Sequence, residues 1–228
     1  VLSAYTDVTA IPGLNMDSIQ IALGLIVITD ICLLAAERQR LSIRLIALQG
    51  VILGLLPLLT HTGEIDARLM AICAVFLLIK AVVLPLILRR TYKKLPAQSP
   101  GKPYLGNTLS VLAGLAGFVF SLWLSSRLGL TANPLFSLFF APAFATIFAG
   151  LLLIVAHREA LSQMFGYLVM ENGIYLLGVP TAQQNTFWLE LSVLLDIMVA
   201  AFVMTIAIHH IHRAFHSTDV ERFACIKD

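Results

Sequence analysis

Four ionisable residues sit inside stretches that are otherwise apolar. Glu171 lies in the run Gly166 to Tyr175 (GYLVMENGIY), and Asp196 in the run Leu191 to Met198 (LSVLLDIM). Lys80 lies in Phe76 to Pro85 (FLLIKAVVLP), and Asp30 near the end of the first apolar stretch. A charge held at mid-membrane costs at least about 2.5–3.5 kcal/mol, so such residues face protein or water and often mark an ion path. Glu171 falls about eleven residues into its stretch, roughly 16 Å deep at the helical rise. It reads either as a carboxyl that takes up and releases a proton or as a neutral carboxyl joining two helices. Asn172 beside it points about 100° away and can bond another helix. Asp196, roughly 10 Å from the nearer edge, reads as a second relay acid or as a packing hydrogen bond. Two acids on consecutive antiparallel helices suggest a lateral path with water between them. Lys80 reads equally as a proton-exchanging amine and as a fixed counter-charge to a neighbouring carboxylate. Asp30 is a possible partner for it, or a polar residue near the interface. Together Glu171, Asp196, Lys80 and Asp30 form the expected proton path.

The elements that must position these residues follow from composition. The 228 residues are 59% apolar and only 12% charged, about half the charged share of a soluble domain. Their mean hydropathy is +0.90. A bilayer crossing needs about 20 apolar residues, and seven stretches qualify: 16–36, 41–60, 69–88, 105–126, 134–156, 161–179 and 189–211. Each isolated segment must satisfy its own backbone groups in lipid, which demands helices. The expected class is therefore all-α, a polytopic membrane protein of seven transmembrane helices. The expected parts are an N-terminal three-helix segment over 1–93, a polar linker over 94–104, a fourth helix over 105–132, a three-helix segment over 133–212 and a tail over 213–228. Pro85 and Pro142 fall inside spans, where neighbouring helices tolerate kinks. Gly114 and Gly117 suggest a close helix contact in the fourth span. The sequence opens on Val1 rather than Met, from which a missing or processed start is expected.

The basic residues set an orientation. Arg38, Arg40, Arg44, Arg89, Arg90, Lys93, Lys94, Lys102, Arg158, Arg213, Arg222 and Lys227 fall on one side, and Arg68 and Arg127 on the other. The richer side is expected to be cytoplasmic, with the N-terminus outside and the tail inside a bacterial or archaeal inner membrane. Span-end residues such as Arg40, Arg44, Arg89 and Arg90 read as interface anchors. The run His209 to His216 (HHIHRAFH) lacks the carboxylate or cysteine partners of a catalytic metal site and reads as an interfacial histidine cluster. Cys32, Cys73 and Cys225 are too dispersed for a metal or cluster site. No basic stripe with interleaved aromatics points to nucleic acid.

On the runs around Glu171 and Asp196, the last three spans resemble the K-type subunit of respiratory complex I, which carries one acid in each of its second and third helices. That subunit usually has Glu as its second acid, so Asp196 is a shorter-reaching departure. With Ile79 to Leu86 (IKAVVLPL) in the third span, the whole chain resembles hydrogenase-4 component E. The resemblance implies a membrane subunit of a group 4 nickel–iron hydrogenase or formate hydrogenlyase-type complex. Its partners would be antiporter-like membrane subunits, a membrane-anchor subunit, soluble hydrogenase and iron–sulfur subunits, and lipids. Nickel–iron and iron–sulfur centres would belong to those partners, with no cofactor, metal or active site in this chain. Two other readings use the same residues: a subunit of a cation/proton antiporter complex, and a structural subunit whose acids only fasten helices.

Overall fold

The computed structural model describes residues 16–60, 67–94, 106–128, 134–157, 160–182 and 194–198. All elements among them are helical. We label them α1 (Met16–Ala35), α2 (Gln39–Thr60), α3, α4 (Asn107–Arg127), α5 (Pro134–Ala156) and α6 (Ala160–Ala182). Helix α3 is continuous through three pieces: α-helical Ala67–Leu78, π-helical Ile79–Val83 and α-helical Leu84–Lys94. Residues 194–198 form one further helical turn; the rest of the expected seventh span, the linker and the histidine run lie outside the described residues.

Two three-residue connections decide the topology. They join α1 to α2 and α5 to α6, and links that short force antiparallel neighbours. Helix α1 also packs on α5, and α2 on α6, which closes a four-helix core. Helix α3 lies outside that core against α2, and α4 lies outside it against α1 and α5.

The α5–α6 hairpin is held backbone to backbone. A Cβ built on Gly150 would stand 2.5 Å from Met170 N and 2.7 Å from Gly166 O. One built on Gly173 would stand 2.8 Å from Ala143 O. Glycine is required at these points because the helices touch where side chains would otherwise stand. The expected contact through α4 is also present. Gly114 receives Leu34 of α1, and Gly117 receives Phe148 of α5.

Among the described residues five helices are long and apolar enough to cross a bilayer: Met16–Ala35, Gln39–Thr60, Met70–Arg90, Thr108–Arg127 and Leu135–Ala156. These make the chain a membrane protein. Helix α6 matches them in length but carries Gln163, Glu171 and Asn172. It can be more polar because protein surrounds most of it: Leu161, Phe165, Leu168, Val169, Leu176 and Val179 are all buried. Helix α4 is the reverse case. Leu112, Leu115, Val119 and Trp123 are exposed along it, as suits a face solvated by hydrocarbon.

The core is layered along the helix axes. One apolar cluster joins Leu23 and Ile26, Leu53 and Leu56, Phe76, Leu138 and Phe139, and Tyr175 and Leu176. A second joins Leu33 and Leu34, Ile43 and Ile46, Leu84 and Leu88, Leu153, and Leu168 and Val169. On every one of these helices the two apolar sets are separated by buried polar residues: Thr29 and Asp30, Gln49, Lys80, Thr146, and Glu171 and Asn172. The protein therefore holds a polar sheet at mid-depth between two apolar plugs.

Candidate functional site

Three of the four residues singled out in the sequence meet in the polar layer. Lys80 Nζ donates to Glu171 Oε1 at 2.7 Å and to Asn172 Oδ1 at 2.6 Å. Asp196 Oδ1 lies 3.1 Å from the same nitrogen, an ion-pair distance without the alignment of a hydrogen bond. Lys80 is 2% exposed and Asp196 1%, so neither charge faces bulk solvent. The rings of Phe76 and Tyr175 stack with centroids 4.4 Å apart, and the ammonium lies 5.1 and 5.7 Å from their centroids. That aromatic pair covers the ammonium on the side of the first apolar cluster and adds cation–π attraction.

Local backbone explains how Lys80 gets there. Pro85 cannot donate an N–H, and its ring crowds the carbonyl one turn back. The helix responds by widening just before it: Leu84 N–H bonds Ile79 O, a five-residue step. Such π segments recur at functional sites because they re-aim a side chain. Lys80 sits inside this segment. On the facing helix, a Cβ on Gly50 would stand 2.8 Å from Lys80 O. Gly50 therefore lets α3 press onto α2, so that the lysine reaches past α2 to α6.

Asp30 is not a direct partner of Lys80. Its Oδ1 accepts from Gln49 Nε2 at 2.6 Å and its Oδ2 from Thr146 Oγ1 at 2.7 Å. It is buried rather than interfacial, at 3% exposure. Two amides join it to the lysine: Asn172 Nδ2 donates to Gln49 Oε1 at 3.2 Å, and Asn172 Oδ1 accepts from Lys80. Gln49 Nε2 also donates to Thr29 Oγ1 at 2.9 Å. Every donor in this chain points from Lys80 toward Asp30. The amide dipoles are thus aligned between a cation and a carboxylate, the orientation electrostatics favours. A flipped Asn172 would set an NH₂ against an ammonium, so the network itself fixes the amide.

Asn172 was marked in the sequence as able to bond a second helix, and it bonds two. Gln49 and Thr146 were not singled out. Their signal was available: uncharged polar residues at the middle of spans 41–60 and 134–156. A Gln49→Leu variant leaves Asp30 Oδ1, Thr29 and Asn172 each short of a partner. At about 1–3 kcal/mol per buried group left unsatisfied, a loss of at least about 2 kcal/mol is expected. Thermal unfolding in mild detergent measures it.

Glu171 Oε2 and both Asp196 oxygens have no hydrogen-bond partner among the described residues. Two carboxyls thus share one ammonium, with lone pairs to spare. The cluster therefore has one acid more than base.

Comparison with known proteins finds relatives along nearly the whole chain. The chain is 28% identical over 212 residues to an uncharacterized protein of Mycobacterium tuberculosis, covering 92% of this chain and 96% of that one. It is 25% identical over 205 residues to hydrogenase-4 component E of Escherichia coli K12, covering 90% and 94%. The chain thus resembles hydrogenase-4 component E along nearly its whole length. A protein of the same description from Shigella flexneri matches over the same extent. No established family profile and no solved structure matches. The likeness to hydrogenase-4 component E runs almost end to end, so it takes in the helices that bear Asp30, Gln49, Lys80, Glu171 and Asn172 alike. Among the described residues no group of three or more His, Cys, Asp and Glu could hold a metal ion.

Proposed function

We propose that the chain is a membrane subunit of a hydrogenase complex and that Lys80, Glu171 and Asp196 form a proton-transfer node in it. The observation that carries this reading is one buried ammonium shared by two carboxyls, with oxygens left over, between two apolar plugs. A structural ion pair needs one acid. A second acid in hydrocarbon, at a cost of several kcal/mol, is retained where a proton must have two places to sit. In the proposed cycle a proton exchanges between Glu171 and Asp196, and Lys80 follows the carboxyl that is left charged. Proton transfer needs groups about 3 Å apart or one bridging water, and both carboxyls stand about that far from Lys80 Nζ, the neighbour they share. Asp30 forms the far end of the same layer. Amides do not pass protons readily, so Asp30 answers the node electrostatically, through the aligned Gln49 and Asn172 dipoles.

The similarity to hydrogenase-4 component E supports a complex in which hydrogenase subunits carry the redox centres. Antiporter-like membrane subunits and a membrane anchor would flank this chain, with hydrogenase and iron–sulfur subunits on the cytoplasmic side. The basic end of the bundle would face the cytoplasm. In this arrangement the chain performs no redox chemistry. It transmits charge and protons laterally, as a resemblance of its last three spans to the K-type subunit of complex I would imply.

The test is Glu171→Gln in the whole complex. Gln keeps a hydrogen-bond acceptor for Lys80, so assembly and electron transfer survive. Proton translocation per turnover falls roughly tenfold or more, as for loss of a positioned acid–base group. Acidification assays on inverted vesicles measure it. Unchanged pumping in Glu171→Gln and in a Glu171→Gln/Asp196→Asn double variant would instead assign the acids to fastening α3 to α6.

A further inference from the structure

A cavity of about 520 Å³ opens between α2 and the C-terminal half of α3. Its size is within the range of ligand sites, about 300–1,000 Å³. Its rim and its floor differ in chemistry. Arg40, Arg44, Arg89 and Lys93 line the end nearest the tips of the helices, and among the described residues no acidic residue lines any part of it. The floor is apolar and runs inward to Ala47 on α2 and Ala81 on α3, next to the polar layer. From Ala81 to Lys93 is roughly 18 Å along α3 at 1.5 Å per residue, about the depth of one leaflet's hydrocarbon. Val82 and Leu86, which line the floor, are 45% and 46% exposed, so among the described residues the groove opens sideways. A second recess, lined by Leu86, Arg89, Arg90 and Lys93, adjoins it.

We propose that this groove binds an anionic phospholipid. The phosphate sits among the guanidinium groups of Arg40, Arg44 and Arg89, which match its oxygens in charge and fork geometry. One acyl chain lies along the floor between α2 and α3. Three features select this occupant. Four cations, with no acid among the described residues that line the groove, attract an anion. The apolar floor offers a phosphate-bearing headgroup nothing, so the ligand needs a tail. The sideways opening gives that tail a path from the bilayer. Basic pockets between transmembrane helices take such headgroups generally. Occupancy would also brace α3 against α2 directly below the turn that aims Lys80, so the lipid supports the position of the lysine.

The test uses the detergent-solubilised complex, stripped of lipid and exposed to dioleoyl phosphatidylglycerol or dioleoyl phosphatidylcholine. Native mass spectrometry reads the bound lipid. Phosphatidylglycerol adducts are expected to exceed phosphatidylcholine adducts roughly tenfold, the equivalent of about 1.4 kcal/mol. Arg40→Gln/Arg44→Gln/Arg89→Gln abolishes the preference, and Ala47→Phe, which fills the floor and keeps every charge, lowers retention as strongly. Arg127→Gln, at the opposite end of the bundle, leaves it unchanged. Displacement of the lipid by free glycerol phosphate at equal concentration would overturn the acyl-chain half of the proposal. Loss of a co-purifying protein subunit, with lipid retention unchanged in the triple variant, would give the groove to a protein and overturn the whole.

Discussion

Replacing Lys80 by methionine is expected to destabilise the protein by about 3–5 kcal/mol, the usual cost of breaking a buried ion pair from one side. The size of the effect follows from what remains. Glu171 Oε1 and Asn172 Oδ1 lose the donor that reaches them at 2.7 and 2.6 Å. Two carboxyls are left facing each other without a cation, under a pair of aromatic rings. The variant also loses a bridge between helices. Helix α3 packs on α2 and outside the core, and Lys80 links it to α6 across the polar layer. Assembly of the complex should therefore drop, and what assembles should not pump. A second variant separates the two effects. Lys80→Met/Glu171→Gln/Asp196→Asn removes every formal charge from the node, and neutral replacement of a buried ionic group is often tolerated. It should recover most of the stability and none of the proton translocation. Thermal midpoints in detergent and acidification by inverted vesicles give the two readouts. A Lys80→Met protein as stable as the parent would mean that the ammonium is not held as described.

How much of this was legible depended on what each residue costs in lipid. The mid-span charges stood out because their price in hydrocarbon is high, and Glu171, Lys80 and Asp196 do meet. Their pairing was not legible. Lys80 and Glu171 are 91 positions apart, and helical periodicity carries no information about which distant helix is the neighbour. Asp30 shows the same limit from the other side. Its link to Lys80 passes through Gln49 and Asn172, uncharged residues that hardly disturb an apolar stretch. The π segment was equally hidden. Pro85 announced an irregularity, but whether a helix kinks or widens depends on the close approach that Gly50 permits. Helix α6 inverts the usual signal. It carries Glu171 and Asn172 at its middle and is among the most enclosed, since a helix lined by other helices need not be apolar all round. The two plugs and the polar layer between them became visible only when antiparallel helices were set side by side.

The second large effect is expected from Gly166→Leu. A Cβ at that position would stand 2.7 Å from Gly150 O and 2.9 Å from Ile154 N. Backbone atoms cannot turn aside as a flexible side chain can, so α5 and α6 must separate. Overpacking of a core costs about 1–3 kcal/mol where side chains give way; here the cost should exceed the upper figure, with the hairpin as the first casualty. The consequence reaches the node because α6 carries both Glu171 and Asn172. Moving α6 away from α5 shifts them relative to Lys80, whose position is set independently by α2 through Gly50. Pumping should therefore fail even in the fraction that assembles, while Glu171, Lys80 and Asp196 are all intact. Gly24→Leu is the matched control. A Cβ at Gly24 meets nothing within 4 Å, and leucine is the better helix former by up to about 1 kcal/mol. That variant should assemble and pump like the parent. Equal behaviour of the two glycine variants would mean that the spacing of α5 and α6 does not control the node; a pumping defect confined to Gly166→Leu would tie proton transfer to a backbone contact that contains no ionisable group.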